Sequence, residues 1–230
     1  MRCFEAVVFD MDGVLIDSER VIRLAAQRAG RDFGHEMSDA LFDELIGLPG
    51  PMVEAALRGH FGEAFPMDDY RQVFQRHYAG HIETHGMQSK PGVPALLEAL
   101  SAAAVPIAVA TQTRSGHAQA ALASAGLLQY FPICITGDLV AAPKPAPDVF
   151  LRAAATLGIA PSRCIALEDS EVGARAAVSA GMWTLMVPDL KAPGAEIAAL
   201  VHEILPSMPA AAVRVHALLR DGVAAGGHPA

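Results

Sequence analysis

Short apolar runs punctuate the chain at residues 6–9, 107–110, 133–135, 164–167 and 184–187, each nearly continuous Val, Ile, Leu, Ala, Cys or Phe. Continuous rather than alternating hydrophobicity over so few residues predicts strands covered on both faces. From the second run onward, stretches with helical spacing lie between or after them, at residues 115–125, 148–157, 172–180 and 194–205. Strands alternating with helices predict right-handed βαβ crossovers and a parallel sheet. The first crossover breaks the rhythm. Later runs follow one another after about 25–30 residues, the size of one βαβ unit, whereas the gap from Phe9 to Ile107 is several times longer than a crossover helix requires. Residues 93–103 supply that helix. The surplus reads as four more helices, at 18–29, 38–46, 51–61 and 68–85, joined by Gly- and Pro-rich turns.

The predicted fold class is therefore α/β, a parallel-sheet core carrying an inserted all-helical cap. Residues 1–16 with 89–207 form the core and 17–88 the cap. Residues 208–230 form a terminal segment, a short helix at 209–220 followed by a disordered tail from 224.

Composition narrows the partners. A net charge of −8 argues against nucleic acid, whose phosphates select basic faces. No run is long and apolar enough to span a membrane. The N-terminus enters the first strand without an apolar leader, and three widely spaced cysteines fit a reducing cytoplasm better than a disulfide framework. Cys134 and Cys164 sit inside strand patterns and read as buried filler. Lysine occurs only at positions 90, 144 and 191, so Lys144 stands out. Nothing in the composition fixes an oligomeric state.

Ligands of parallel α/β sheets bind outside the carboxyl ends of the strands. Asp10 and Asp12 leave the first strand there, Thr111 and Gln112 the second, Lys144 follows the third, and Glu168 and Asp169 leave the fourth. A strand-end turn closed by Gly13 would account for Asp10 and Asp12 alone, but not for this whole set at one sheet edge. Asp10 and Asp169, with the backbone carbonyl of Asp12, suit a hard cation such as Mg²⁺. Lys144 offers a point charge and Thr111 a hydroxyl to a phosphate, and the N–H groups of Met11, Asp12 and Gln112 complete a cradle. A carboxylate in such a site can also act as nucleophile through an acyl-phosphate. Glu168 either joins the metal ligands or orients Lys144.

Four stretches in this order resemble the phosphatase branch of the haloacid dehalogenase superfamily: residues 10–19 beginning Asp10-Met11-Asp12-Gly13-Val14, then Ala110-Thr111-Gln112, Lys144-Pro145, and Glu168-Asp169-Ser170. The resemblance covers nearly the whole chain and implies a Rossmann-like core with an inserted cap. It makes Asp10 the nucleophile and a metal ligand, and Asp12 the acid and base. It further implies Mg²⁺ and a small phosphorylated metabolite, a sugar phosphate or phosphorylated organic acid. Gln112 departs from the family, which has a small residue there. In the cap, Arg23 and the Gly47-Leu48 turn are the substrate-contact candidates, and Arg20 follows the same hinge. His77, His81 and His85 fall at i, i+4, i+8 and read as a half-solvated helix face rather than a metal site.

Other chemistries of the superfamily fit less well. The resembling dehalogenases lack the second acid that Asp12 supplies. Phosphonate cleavage uses a cap lysine, and residues 17–89 contain none. The resembling sugar-phosphate mutases, of the beta-phosphoglucomutase type, carry a His early in the first cap helix, where Ile22 stands here. A phosphometabolite-binding protein without turnover would not need Asp10, Asp12, Lys144 and Asp169 all intact. Phosphatase is the favoured activity, with mutase the nearest alternative.

Overall fold

The computed structural model describes residues 3–46, 48 and 50–221. Among them are β1 (Ala6–Phe9), β2 (Ile107–Ala110), β3 (Cys134–Ile135), β4 (Cys164–Glu168), β5 (Trp183–Met186) and β6 (Glu203–Ile204). All pair in parallel, in the order β3-β2-β1-β4-β5-β6. The chain winds outward from β1 in one direction and then from β4 in the other. The reversal falls between the two central strands, the switch point where such sheets bind ligands. Their registers align Phe9 with Val109 and with Leu167. The next residues, Asp10, Ala110 and Glu168, therefore emerge level with one another.

Helices flank the sheet: α5 (Val93–Ala102), α6 (Ser115–Ser124), α7 (Asp148–Leu157), α8 (Glu171–Ser179), α9 (Ala195–Leu200) and α10 (Met208–Asp221), with α1 to α4 in the insert. Small residues set one helix–sheet spacing. Ala6, Ala108, Ala110 and Ala166 on the strands, with Ala153 of α7 and Ala176 of α8, are buried in one core cluster.

One stretch differs from the expectation. The helix expected at 194–205 stops at Leu200, because the N–H of His202 donates to Thr184 O at 3.1 Å and that of Leu205 to Met186 O at 2.8 Å. Edge pairing with β5 outcompetes a weak helical pattern and creates β6. The short helix expected at 209–220 is present as α10. Helix α10 packs on α5, and Arg214 pairs with Glu203 of β6 at 2.6–2.8 Å. The tail expected from residue 224 lies outside the described residues.

The chain divides into two compact units, residues 1–17 with 87–230, and 18–86. At their junction the outgoing and returning chains pair: Asp17 N–H donates to Gln88 O and Lys90 N–H to Leu15 O, both at 2.9 Å, and Ile16 bridges Ser89 in antiparallel fashion. The Lys90 ammonium braces this pair, 2.5 Å from Asp189 and 3.9 Å from Asp17.

The second unit is helical: α1 (Ser18–Asp32), α2 (Asp39–Leu45), α3 (Gly50–Phe61) and α4 (Met67–His85). Helix α1 lies against α4, and Phe33, Phe61, Phe65 and Tyr70 form an aromatic cluster around His35. No helix among the described residues is long and apolar enough to cross a membrane.

Candidate active site

Asp10 sits where β1 ends, its N–H still bonded to Leu167 O at 2.9 Å. The next residues fold into one tight turn, with Leu15 and Ile16 both donating to Met11 O. Gly13 is in that turn at φ +78°, in the left-handed region. A β-carbon there would also overlap Asp169 Oδ2, so glycine is required twice over.

The Lys144 ammonium lies between two acids, 2.5 Å from Asp10 Oδ1 and 2.5 Å from Glu168 Oε1, and 4.9 Å from the centroid of the Phe150 ring. Its side chain is 4% exposed, Asp10's 9% and Glu168's 0%. Full burial of Glu168 is possible because its other oxygen, Oε2, accepts from Ser170 Oγ at 3.1 Å and from the N–H groups of Asp169 and Ser170. Ser170 in turn caps α8 through Gly173 N–H. A β-carbon on Gly173 would overlap the Glu168 carboxylate, so the absence of that carbon makes its room.

Burial raises the Asp10 carboxyl well above its ordinary range. Lys144 pulls it back, while Glu168 and Asp12 push it up further. Burial alone would lower Lys144, but the charges of Asp10 and Glu168 outweigh it and hold the amine above its ordinary value. Oxygens of Asp10, Glu168 and Asp169 lie within 4.8 Å of one another. Hard oxygen donors so gathered fit Mg²⁺ or a similar cation. The Asp12 carboxylate is outside that group.

Across the sheet edge, Thr111 is buried and its N–H donates to Ile135 O. Its Oγ1 accepts from Thr113 N–H at 3.0 Å, which leaves the hydroxyl proton to donate elsewhere. Gln112, where the family has a small residue, sends its side-chain amide to the Lys144 carbonyl at 3.2 Å and ties the second strand loop to the third.

Thr113 escaped the sequence reading. Its hydroxyl donates to Asp12 Oδ2 at 2.7 Å. A Thr three positions past a strand end is too common to flag by itself; only the folded loop brings it to an acid 101 residues away.

The cap candidates fare differently. Within the cap Arg23 lies 2.6 Å from Asp43, 3.2 Å from Asp39 and over the Phe42 ring. Its cation already has two carboxylates. Leu48 is half-buried, its N–H bonded to Leu45 O at 3.1 Å, and Gly47 lies outside the described residues. Ile22 lines an apolar cap cavity of about 330 Å³ together with Ala26, Phe42, Leu45, Leu57 and Phe74. In the histidine stripe His77 pairs with Asp32 at 2.8 Å, while His81 and His85 stack with centroids 4.5 Å apart. None of the three joins a metal-holding group among the described residues.

A family model described as haloacid dehalogenase-like hydrolase matches residues 4–181. A phosphorylated-carbohydrates phosphatase of Thermotoga maritima is 30% identical over 77% of this chain and 82% of its own length. A probable pseudouridine-5'-phosphatase of Drosophila melanogaster is 34% identical over 79% of this chain and 80% of its own. Among solved structures, a putative beta-phosphoglucomutase from Thermotoga maritima superposes with a TM-score of 0.79 at 26% identity, covering 93% of this chain and 98% of that one.

Proposed function

Because this chain belongs to the haloacid dehalogenase-like hydrolases and is a phosphoric monoester hydrolase among them, we propose that it releases phosphate from a small phosphorylated metabolite by two displacements at Asp10. A phosphorylated carbohydrate is the substrate class we favour, by analogy with the relative that carries that name. The observation that carries the site assignment is the Lys144 ammonium held 2.5 Å from both Asp10 and Glu168 beside Asp169, at the sheet's switch point.

In the first displacement an Asp10 carboxylate oxygen attacks phosphorus. The bond to the leaving oxygen breaks, and that oxygen takes its electron pair and a proton from Asp12. In the second, water attacks the aspartyl-phosphate while Asp12 removes its proton, so inorganic phosphate departs and Asp10 is regenerated. Splitting one hard step into two easier ones is the gain. Lys144 and Thr111 hold phosphoryl oxygens, one by charge and one by a hydroxyl proton, with backbone N–H groups of the two loops beside them. Asp10 and Asp169 would hold Mg²⁺, with the Asp12 carbonyl and with Glu168 beside them. When bound, the ion neutralises phosphoryl charge. Glu168 spends both oxygens on Lys144 and on the start of α8, which supports an orienting role for it.

Phosphatase rather than mutase is supported by Ile22, an aliphatic cavity residue at the position where the resembling mutases carry a histidine. Three free cysteines support a reducing cytoplasm as its place of action. The deciding experiment follows phosphate release from p-nitrophenyl phosphate and then from a panel of sugar phosphates. Activity is expected with Mg²⁺, to vanish in excess chelator and to be lost in Asp10→Asn. Full turnover by Asp10→Asn would overturn the mechanism.

A further inference from the structure

We propose that Thr113 is the positioning residue of the acid/base step, holding the Asp12 carboxylate so that only Oδ1 faces the transferred proton. The inference rests on the phosphatase reading above and adds a residue to it.

The geometry is specific. Thr113 Oγ1 donates to Asp12 Oδ2 at 2.7 Å, a short bond to an acceptor that is formally charged. Among the described residues no second hydrogen bond reaches the Asp12 carboxylate, and it stands apart from the Asp10–Glu168–Asp169 group. With Oδ2 accepting from the threonine, Oδ1 remains as the oxygen that gives a proton to the leaving group and takes one from water.

Thr113 is itself braced from both sides. Its N–H is bonded to Thr111 Oγ1 at 3.0 Å, so the same hydroxyl that serves phosphate anchors the turn. Two residues further on, Ser115 begins α6. Its N–H and hydroxyl bind Asp138 at 2.9–3.0 Å, and its hydroxyl meets Thr136 at 2.7 Å. That exposed Asp138 is held down to about 2 by its bonds from Thr136 and Ser115. The hydroxyl that touches Asp12 thus springs from a turn pinned at its entry and at its exit. Pre-organisation of this kind lets one hydrogen bond select one conformer of a catalytic group.

The test compares Thr113→Val, which keeps shape and removes the hydroxyl, with Thr113→Ser, which restores it. Both phosphorylation of Asp10 and its hydrolysis use Asp12, but p-nitrophenolate leaves without needing a proton. For p-nitrophenyl phosphate, Thr113→Val should therefore slow mainly the second displacement. It should give a burst of about one nitrophenolate per protein, then a steady rate about tenfold or more below wild type. With alkyl phosphates, whose leaving group needs the proton, kcat should fall further and the burst disappear. For p-nitrophenyl phosphate KM should fall along with kcat and leave kcat/KM little changed, and Thr113→Ser should recover most of the rate.

A Thr113→Val protein that turns over like wild type, with no burst and no leaving-group dependence, overturns the proposal. So does a loss that serine fails to restore. If Thr113→Val does not fold, Thr113→Ala at this half-buried site takes its place in the same comparison. A wild-type protein that never releases phosphate instead overturns the phosphatase reading, and the two failures are told apart by that control.

Discussion

Adding one methyl group at Gly173 asks whether the Glu168 carboxylate is as tightly housed as the structure makes it. In an unobstructed helix, Gly→Ala gains about 1 kcal/mol of propensity. At Gly173 the new carbon would overlap the carboxyl carbon and both oxygens of Glu168, which is fully buried. Either the backbone of α8 shifts, at an overpacking cost of about 1–3 kcal/mol, or Glu168 swings away and forfeits its bond to Lys144. A charged hydrogen bond lost in that way costs about 1.5–3 kcal/mol. Either route leaves Gly173→Ala destabilised by up to about 2 kcal/mol after the propensity gain. At about 2–4 °C per kcal/mol, the core should melt up to about 8 °C lower. Gly80 is the control: it lies inside α4, and a β-carbon there meets nothing within 4 Å. Gly80→Ala should hold or raise the melting temperature. Circular dichroism melts of both variants, read beside phosphatase rates, decide the matter. A Gly173→Ala protein as stable and as active as wild type would show that Glu168 is not fixed against α8, and the orienting role given to it would fall.

Three further outcomes follow. Lys144→Met should cut kcat by about 10²–10³-fold, the usual effect of losing one preorganised donor to a developing charge; activity within a few-fold of wild type would remove Lys144 from the site. Burial pushes the thiols of Cys134 and Cys164 up to about 11, whereas Cys3 is exposed. A native protein at pH 8 should therefore give one fast thiol with an aromatic disulfide reagent and two more only on unfolding. Because hydrogen bonds from Thr136 and Ser115 depress Asp138 to about 2, the stability they confer is present above its ordinary carboxyl value and is lost as pH falls towards 2. Thr136→Val with Ser115→Ala should flatten that acid slope in denaturation curves taken from pH 5 to 2, and an unchanged slope would contradict the assignment.

Some of this was legible because it is written locally. Asp10, Thr111 and Asp169 each stand at a strand end, Lys144 lies in the loop that follows β3, and strand ends are readable from short apolar runs. The long first gap betrays the insert for the same reason. The parts that were not legible depend on partners far along the chain. Strand β6 exists because His202 and Leu205 find the carbonyls of β5, against a local pattern that favours helix. Thr113 matters only once the sheet register brings it to Asp12. Arg23 looks like a free cation in sequence until α2 returns Asp39 and Asp43 to it. Gln112 looked like a flaw in the second motif, and its side chain instead spans to the third loop.

The antiparallel pairing of residues 15–17 with 88–90 has a consequence for how this architecture can change. The chain leaves the core and comes back at one doorway, so to the sheet the whole of residues 18–86 is a single hairpin connection. Lengthening such a connection costs little, because loop-closure entropy grows only logarithmically. The insert is thus a cassette: it can be exchanged, resized or randomised between Asp17 and Met87 while the frame and its carboxylates stay registered. Grafting a short turn across that doorway should leave a core that still folds.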